Sequence, residues 1–157
     1  MMKRSIVVAL ILALVFSVAA FAFDDENGKD KDFGIFKTYV PNDWTATQDD
    51  STVTFLKNDN TSSMSVTVAP TEGVSAKDLA AAFAEEFKKT FTNVTEPQVD
   101  EDGDYMFEMI NANGVKSVVL LSAGEEEYCL FVITGVDEGG AGLAQIIAGI
   151  QNSTRDK

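Results

Sequence analysis

Histidine is absent from all 157 residues. With it goes the side chain most used for general acid–base work near neutral pH and for zinc or copper ligation. Histidine-dependent triads and zinc hydrolase sites are therefore excluded. Cysteine occurs once, at Cys129, so no intrachain disulfide can form. Cys129 sits in the apolar run Tyr128–Thr134, just after Glu125, Glu126 and Glu127. It reads as a buried small hydrophobe whose thiol pKa is raised by burial, and a covalent dimer through it would require an exposed strand. Positive charge is also scarce: 12 Lys and Arg stand against 25 Asp and Glu, a formal net charge of −13. Nucleic acid and anionic membrane surfaces both demand Lys/Arg patches, so neither is an expected partner. The acidic excess reads first as solvation, with recognition of a basic partner as the sharper alternative.

The N-terminus departs from this acidic character. Met1-Met2-Lys3-Arg4 is followed by an apolar run from Ile6 to Val18 and then by Ala20-Phe21-Ala22. A positive start, an apolar segment and a small-x-small site predict a cleaved signal peptide over residues 1–22, and hence a periplasmic or secreted protein. An uncleaved anchor is the alternative, because the apolar stretch approaches the ~17 residues that can just span a bilayer. The only cysteine lies far down the chain, so there is no lipidation site, and no stable membrane insertion is expected after cleavage. Loss of Lys3 and Arg4 would move the net charge from −13 to −15. Residues 23–32, almost without apolar content, read as a disordered acidic arm. Residues 33–153 read as one domain, long enough to bury about two-thirds of its unfolded surface without a metal or disulfide staple.

Strand patterns appear at Phe33–Val40, Thr52–Lys57 and Ser63–Ala69, the last alternating Met64, Val66 and Val68 against Ser63, Ser65 and Thr67. Ser75 then opens a helix, with Asp78 completing a variant capping box and Leu79, Phe83, Phe87 and Phe91 recurring every four residues. Core packing is the first reading of this stripe, and Glu85 with Lys89 suits an i,i+4 pair. Four period-two segments follow, Val94–Val99, Asp104–Asn111, Val115–Ser122 and Glu127–Thr134, joined by turns at Asp102-Gly103, Asn113-Gly114 and Gly124-Glu125. Val118–Leu121 and Cys129–Ile133 are apolar at odd and even positions alike, so both faces of those strands should be covered. A second helix over Gly142–Gln151, with Leu143, Ile146, Ile147 and Ile150 on one side, supplies the second cover. The expected fold is α+β: an antiparallel sheet of about seven strands with a helix on each face, in the order β-β-β-α-β-β-β-β-α, an α/β/α sandwich.

Few constellations could carry chemistry. A carboxylate-only mechanism survives the missing histidine, but the acids stand in turns and tails where solvent keeps them ordinary. Asp100, Asp102 and Asp104 surround Gly103 and offer oxygen ligands for a weak calcium site. Their spacing fails the EF-hand pattern, because the sixth position from Asp100 is Tyr105 and the twelfth Asn111, so a solvated hairpin turn is the plainer reading. Gly139-Gly140-Ala141-Gly142 stands between a strand and a helix, where phosphate loops occur, yet Asp137 and Glu138 would repel a phosphate and no Lys follows. It reads as a flexible helix start.

At Phe36-Lys-Thr-Tyr-Val-Pro-Asn-Asp-Trp44 the chain resembles the PsbP-like superfamily, including its bacterial periplasmic DcrB-like members, and the order of elements from Phe33 to Ser153 is similar as well. The resemblance implies an α/β/α sandwich used for accessory or binding work, with no shared catalytic residues. Its members range from a lumenal photosystem II subunit to a nuclear Ran-binding protein, so the fold does not choose the function. From the residues alone, Pro41 ends a strand and Trp44 plugs one end of the sheet, with a ligand-stacking Trp44 as the sharper reading. The expectation is a non-enzymatic extracytoplasmic binding or accessory protein that needs no cofactor, with a protein or envelope component as partner. The alternative is a small-molecule or weak calcium binder using a cavity near Trp44 or the Asp100–Asp104 hairpin.

Overall fold

The structure, a computed structural model, describes residues 26–155, so the expected signal peptide at 1–22 and the start of the acidic arm lie outside the described residues. The strands are β1 (Gly28–Asp32), β2 (Lys37–Pro41), β3 (Trp44–Asp49), β4 (Thr52–Lys57), β5 (Ser63–Pro70), β6 (Gln98–Val99), β7 (Tyr105–Ile110), β8 (Lys116–Ala123) and β9 (Glu127–Thr134). Helix α1 (Ala76–Phe87) follows β5, and α2 (Val136–Arg155) follows β9. Seven strands form one antiparallel sheet in the order β3-β4-β5-β9-β8-β7-β6, while β1 and β2 pair as a separate hairpin. The fold is α+β with a seven-stranded antiparallel sheet and one helix on each face, as the periodicity predicts.

The two helices cover different halves of the sheet. Register puts Val53, Phe55, Met64, Val66, Phe131 and Ile133 on one face. There they pack under Leu143, Ile146, Ile147 and Ile150 of α2 and under Phe33 and Phe36 of the β1–β2 connection. On the other face Phe107, Val119, Leu121 and Leu130 pack under Ala80 and Ala84 of α1, with Leu79, Phe83 and Phe87 half-buried around them. The central strands β8 and β9 thus lie inside both layers, which is why their sequences are apolar at successive positions. Each of the four α2 side chains is completely or almost completely buried and contributes about 1.5–3 kcal/mol by leaving water. Over β3, β4 and β5 the face opposite α2 is lined by Thr45, Thr47, Thr52, Thr54, Ser65 and Thr67, exposed or half-buried.

Helix α1 starts as its sequence dictates: Ser75 is the N-cap and its side chain accepts the Asp78 N–H at 3.2 Å. Its ion pairs are set at i,i+3, Lys88 with Glu85 at 2.7 Å and Lys89 with Glu86 at 2.8 Å, in place of the expected Glu85–Lys89 pair.

Several expectations are corrected. Residues 28–32, taken as part of a disordered arm, form β1. An outer strand of alternating Lys and Asp needs no apolar face, because its backbone pairs along β2 from Gly28–Pro41 to Asp32–Lys37. Gly28 lies against the Tyr39 ring, where any Cβ would come 2.6 Å from Cζ. Five strands, not three, precede α1. The segment taken as one strand from Phe33 turns first, with the Phe33 N–H bonded to the Phe36 carbonyl at 2.9 Å, and becomes β2 only at Lys37. Strand β3 escapes the sequence pattern because, Ala46 apart, its residues after Trp44 are polar and exposed, as suits an edge strand. The Val94–Val99 strand contracts to Gln98–Val99, although Thr95 still donates its N–H to the Glu108 carbonyl at 2.9 Å. Gly139–Gly142 belongs to α2, whose one non-helical residue is Gly140 at φ 55°.

Candidate functional site

A cleft of about 380 Å³ opens where α2 leaves the sheet. Its floor is the start of β8, where Lys116 and Val118 point to the same face as their β7 neighbours Ile110 and Glu108. One wall is the junction from Thr134 through Gly135 and Val136 to Asp137 and Glu138, and Thr61, in the β4–β5 turn, closes another side. Val115 stands at the mouth, 43% exposed, whereas Val118 at the base is 3% exposed.

Local chemistry holds this shape. Gly135 has φ 68° and lies against the Thr61 carbonyl, so the strand-to-helix turn admits no Cβ there. The first helical bond runs from the Gly139 N–H to the Gly135 carbonyl at 3.0 Å. Lys57 donates to the Glu138 carbonyl at 2.8 Å, tying the first turn of α2 to β4. The hydroxyls of Thr134 and Ser117 are bonded at 2.8 Å across β8 and β9. Lys116 is paired with Glu108 at 2.9 Å. Asp137 and Glu138 occupy the first turn of α2, where the helix dipole favours carboxylates.

The sequence-derived candidates lie elsewhere. Pro41 and Trp44 are brought together, but beneath α2: a Cβ at Gly142 would fall 2.5 Å from Trp44 Nε1 and 3.5 Å from Pro41 Cγ. Trp44 is 4% exposed and lines no part of the cleft. Its Nε1 is buried without a hydrogen-bond partner among the described residues, a cost of about 1–3 kcal/mol that ring packing offsets. Asp100, Asp102 and Asp104 occupy the turn between β6 and β7. Asp100 Oδ1 accepts the N–H groups of Asp102 and Asp104, each at 2.9 Å, and Gly103 takes φ 86°. Among the described residues no group of three or more His, Cys, Asp or Glu is placed to hold a metal ion. Cys129 is partly buried on β9, and burial pushes its thiol up to about 12, far from the thiolate that nucleophilic chemistry needs.

The cleft residues Lys116, Thr134, Asp137 and Glu138 form no motif. Their one sequence signal is the passage from an apolar strand through Thr134-Gly135 into a helix with acids in its first turn.

Among the described residues no helix is long and apolar enough to cross a membrane. No protein-family model and no curated protein matches the chain. Among solved structures it is similar to cyanobacterial PsbP (CyanoP) from Synechocystis sp. PCC 6803, at 12% identity and TM-score 0.46, over 83% of this chain and 87% of that one. It is also similar to a crystal structure from Bacteroides thetaiotaomicron VPI-5482, at 16% identity and TM-score 0.43, over 78% of this chain and 47% of the other, so it spans about half of that chain's length. Identities this low transfer no function.

Proposed function

We propose that this chain is a non-enzymatic binding or accessory protein that works outside the cytoplasm, periplasmic or secreted, with a protein or envelope component as its partner. The observation that carries the reading is the cleft between β8 and the first turn of α2, a concave surface whose floor presents Val118 and Lys116 and whose α2 wall presents Asp137 and Glu138. Positioned polar groups beside apolar side chains are the ordinary build of a recognition site. The location rests on the leader at residues 1–22. The same reading takes the chain to be PsbP-like, and more narrowly akin to the DcrB-like members, on the Phe36–Trp44 segment.

Affinity capture from an envelope extract tests this, with Val115→Trp as the control because it fills the mouth of the cleft from an exposed position. A component retained by the native protein and lost with Val115→Trp is the expected result. Identical captures from both proteins would refute a role for the cleft.

A second reading, a small-molecule binder, is favoured by the volume of the cleft, which falls within the roughly 300–1,000 Å³ of ligand pockets. The ligand then sits beside α2, away from Trp44 and the Asp100–Asp104 turn.

A further inference from the structure

Among the described residues no ion pair joins Lys116 on the floor of the cleft to Asp137 or Glu138 on its α2 wall. Lys116 rises from the β8 floor, and Asp137 and Glu138 stand on the α2 wall. The only ion pair that Lys116 makes among the described residues is the one with Glu108 at 2.9 Å. A lone anion entering here would face two carboxylates, whereas the ammonium of Lys116, already bonded to Glu108, keeps N–H donors for a second carboxylate. A molecule with a charge of each sign at its two ends uses both sets of groups. Between the walls the surface is apolar, supplied by Val115, Val118 and Val136. Thr134, already bonded to Ser117, keeps hydroxyl capacity for one more polar contact.

We infer that the cleft binds a small zwitterion of the α-amino acid class, up to the size of a dipeptide. Its carboxylate is directed at Lys116, its ammonium at Asp137 and Glu138, and its side chain at the valines. This rests on the small-molecule reading of the same cleft. It commits to the ligand's charge pattern, since three valines around the opening favour an apolar side chain without defining one.

Isothermal titration of the purified protein with L-leucine, L-valine and L-leucyl-L-leucine, each beside its N-acetyl and C-amide forms, tests the assignment. The expected result is saturable binding of at least one free zwitterion. Blocking either end should weaken it about tenfold or more, the scale of a lost charged contact. Lys116→Gln and Asp137→Asn, both at exposed positions, should produce a similar weakening while leaving the melting temperature nearly unchanged. Equal binding of free and blocked forms overturns the zwitterion assignment and leaves a small-molecule cleft standing. No binding of any compound also overturns it; if capture from extract is still lost with Val115→Trp, the partner reading survives, and if it is not, both fall.

Discussion

Gly149→Ala should destabilise this protein, although in an isolated helix the same change would help. The backbone of Gly149 lies within α2 and does not take a positive φ, so on intrinsic propensity alanine is better by about 1 kcal/mol. The tertiary environment opposes it. A Cβ at this position would overlap the Thr38 hydroxyl oxygen and stand 3.0 Å from both Cα and Cβ of Thr38. Thr38 is buried on β2 and cannot swing away freely, because its hydroxyl donates to the Ile146 carbonyl at 2.7 Å. Overpacking of this kind costs about 1–3 kcal/mol, and displacing a buried hydroxyl from its acceptor costs a further 1–3 kcal/mol or so. Set against the gain of about 1 kcal/mol in propensity, the net loss is about 1–5 kcal/mol, centred near 3. At roughly 4 °C per kcal/mol for a domain of this size, the melting temperature should fall by about 12 °C. Urea denaturation followed by fluorescence of Trp44, the only tryptophan, reads the change from beneath the same helix. The Thr38→Ala background should reduce the cost of Gly149→Ala by about 1–2 kcal/mol without abolishing it, since Cα and Cβ remain close. A Gly149→Ala protein as stable as the parent, or more so, would refute the reasoning, and an equal cost in both backgrounds would refute the part assigned to the hydroxyl.

Ser75→Ala should remove the cap of α1 and lower stability by about 1 kcal/mol, read as a shift in denaturation midpoint at unchanged m-value. Cys129 should resist alkylation at pH 8 in the native protein and react at a rate limited by opening. Because its native pKa of about 12 lies above the unfolded value of 9.0, the unfolded chain releases its proton first and this residue's contribution to stability falls as pH rises between those values. Asp59 should titrate below its ordinary 3.8, chiefly because the Thr61 hydroxyl donates to it at 2.6 Å, with the Thr61 N–H adding a bond at 3.0 Å. A lowered native pKa contributes stability above the unfolded value and loses it as pH falls through the native one. Thr61→Val should move the carboxyl back up in an NMR titration; an unchanged value would refute the hydroxyl's role.

Much of the fold was legible because periodicity and capping are local. Ser75, Asp78 and the four-residue stripe announced α1, and double-sided apolar runs announced the two strands between the layers. Strands β1 and β3 were not legible. Their pairing runs through the backbone, and an edge or outer strand needs no apolar alternation to pair. The candidate site was less legible still. Trp44 and the Asp100–Asp104 turn drew attention as rare or clustered residues, yet the one lies beneath Gly142 and the other spends a carboxylate oxygen on its own turn. Lys116 and Asp137 are ordinary surface residues in one dimension. They become floor and wall of one cleft only because β9 returns beside β8 and the chain turns at Gly135 into α2.

What the sequence by itself determined is therefore local and compositional: the acidic balance, the missing histidine, the helix start at Ser75 and the alternation of the inner strands. What only the tertiary structure decided is where layers touch and where they part. The glycines of α2 look like flexibility in the sequence, but Gly142 and Gly149 let the helix lie on Trp44 and Thr38 at distances that a Cβ would prohibit. The cleft arises on the far side of that helix, over a stretch of sheet it does not cover. The physical reason is that propensity and pattern act within a few residues, whereas close approach and unfilled space are set by chains meeting from distant parts of the sequence.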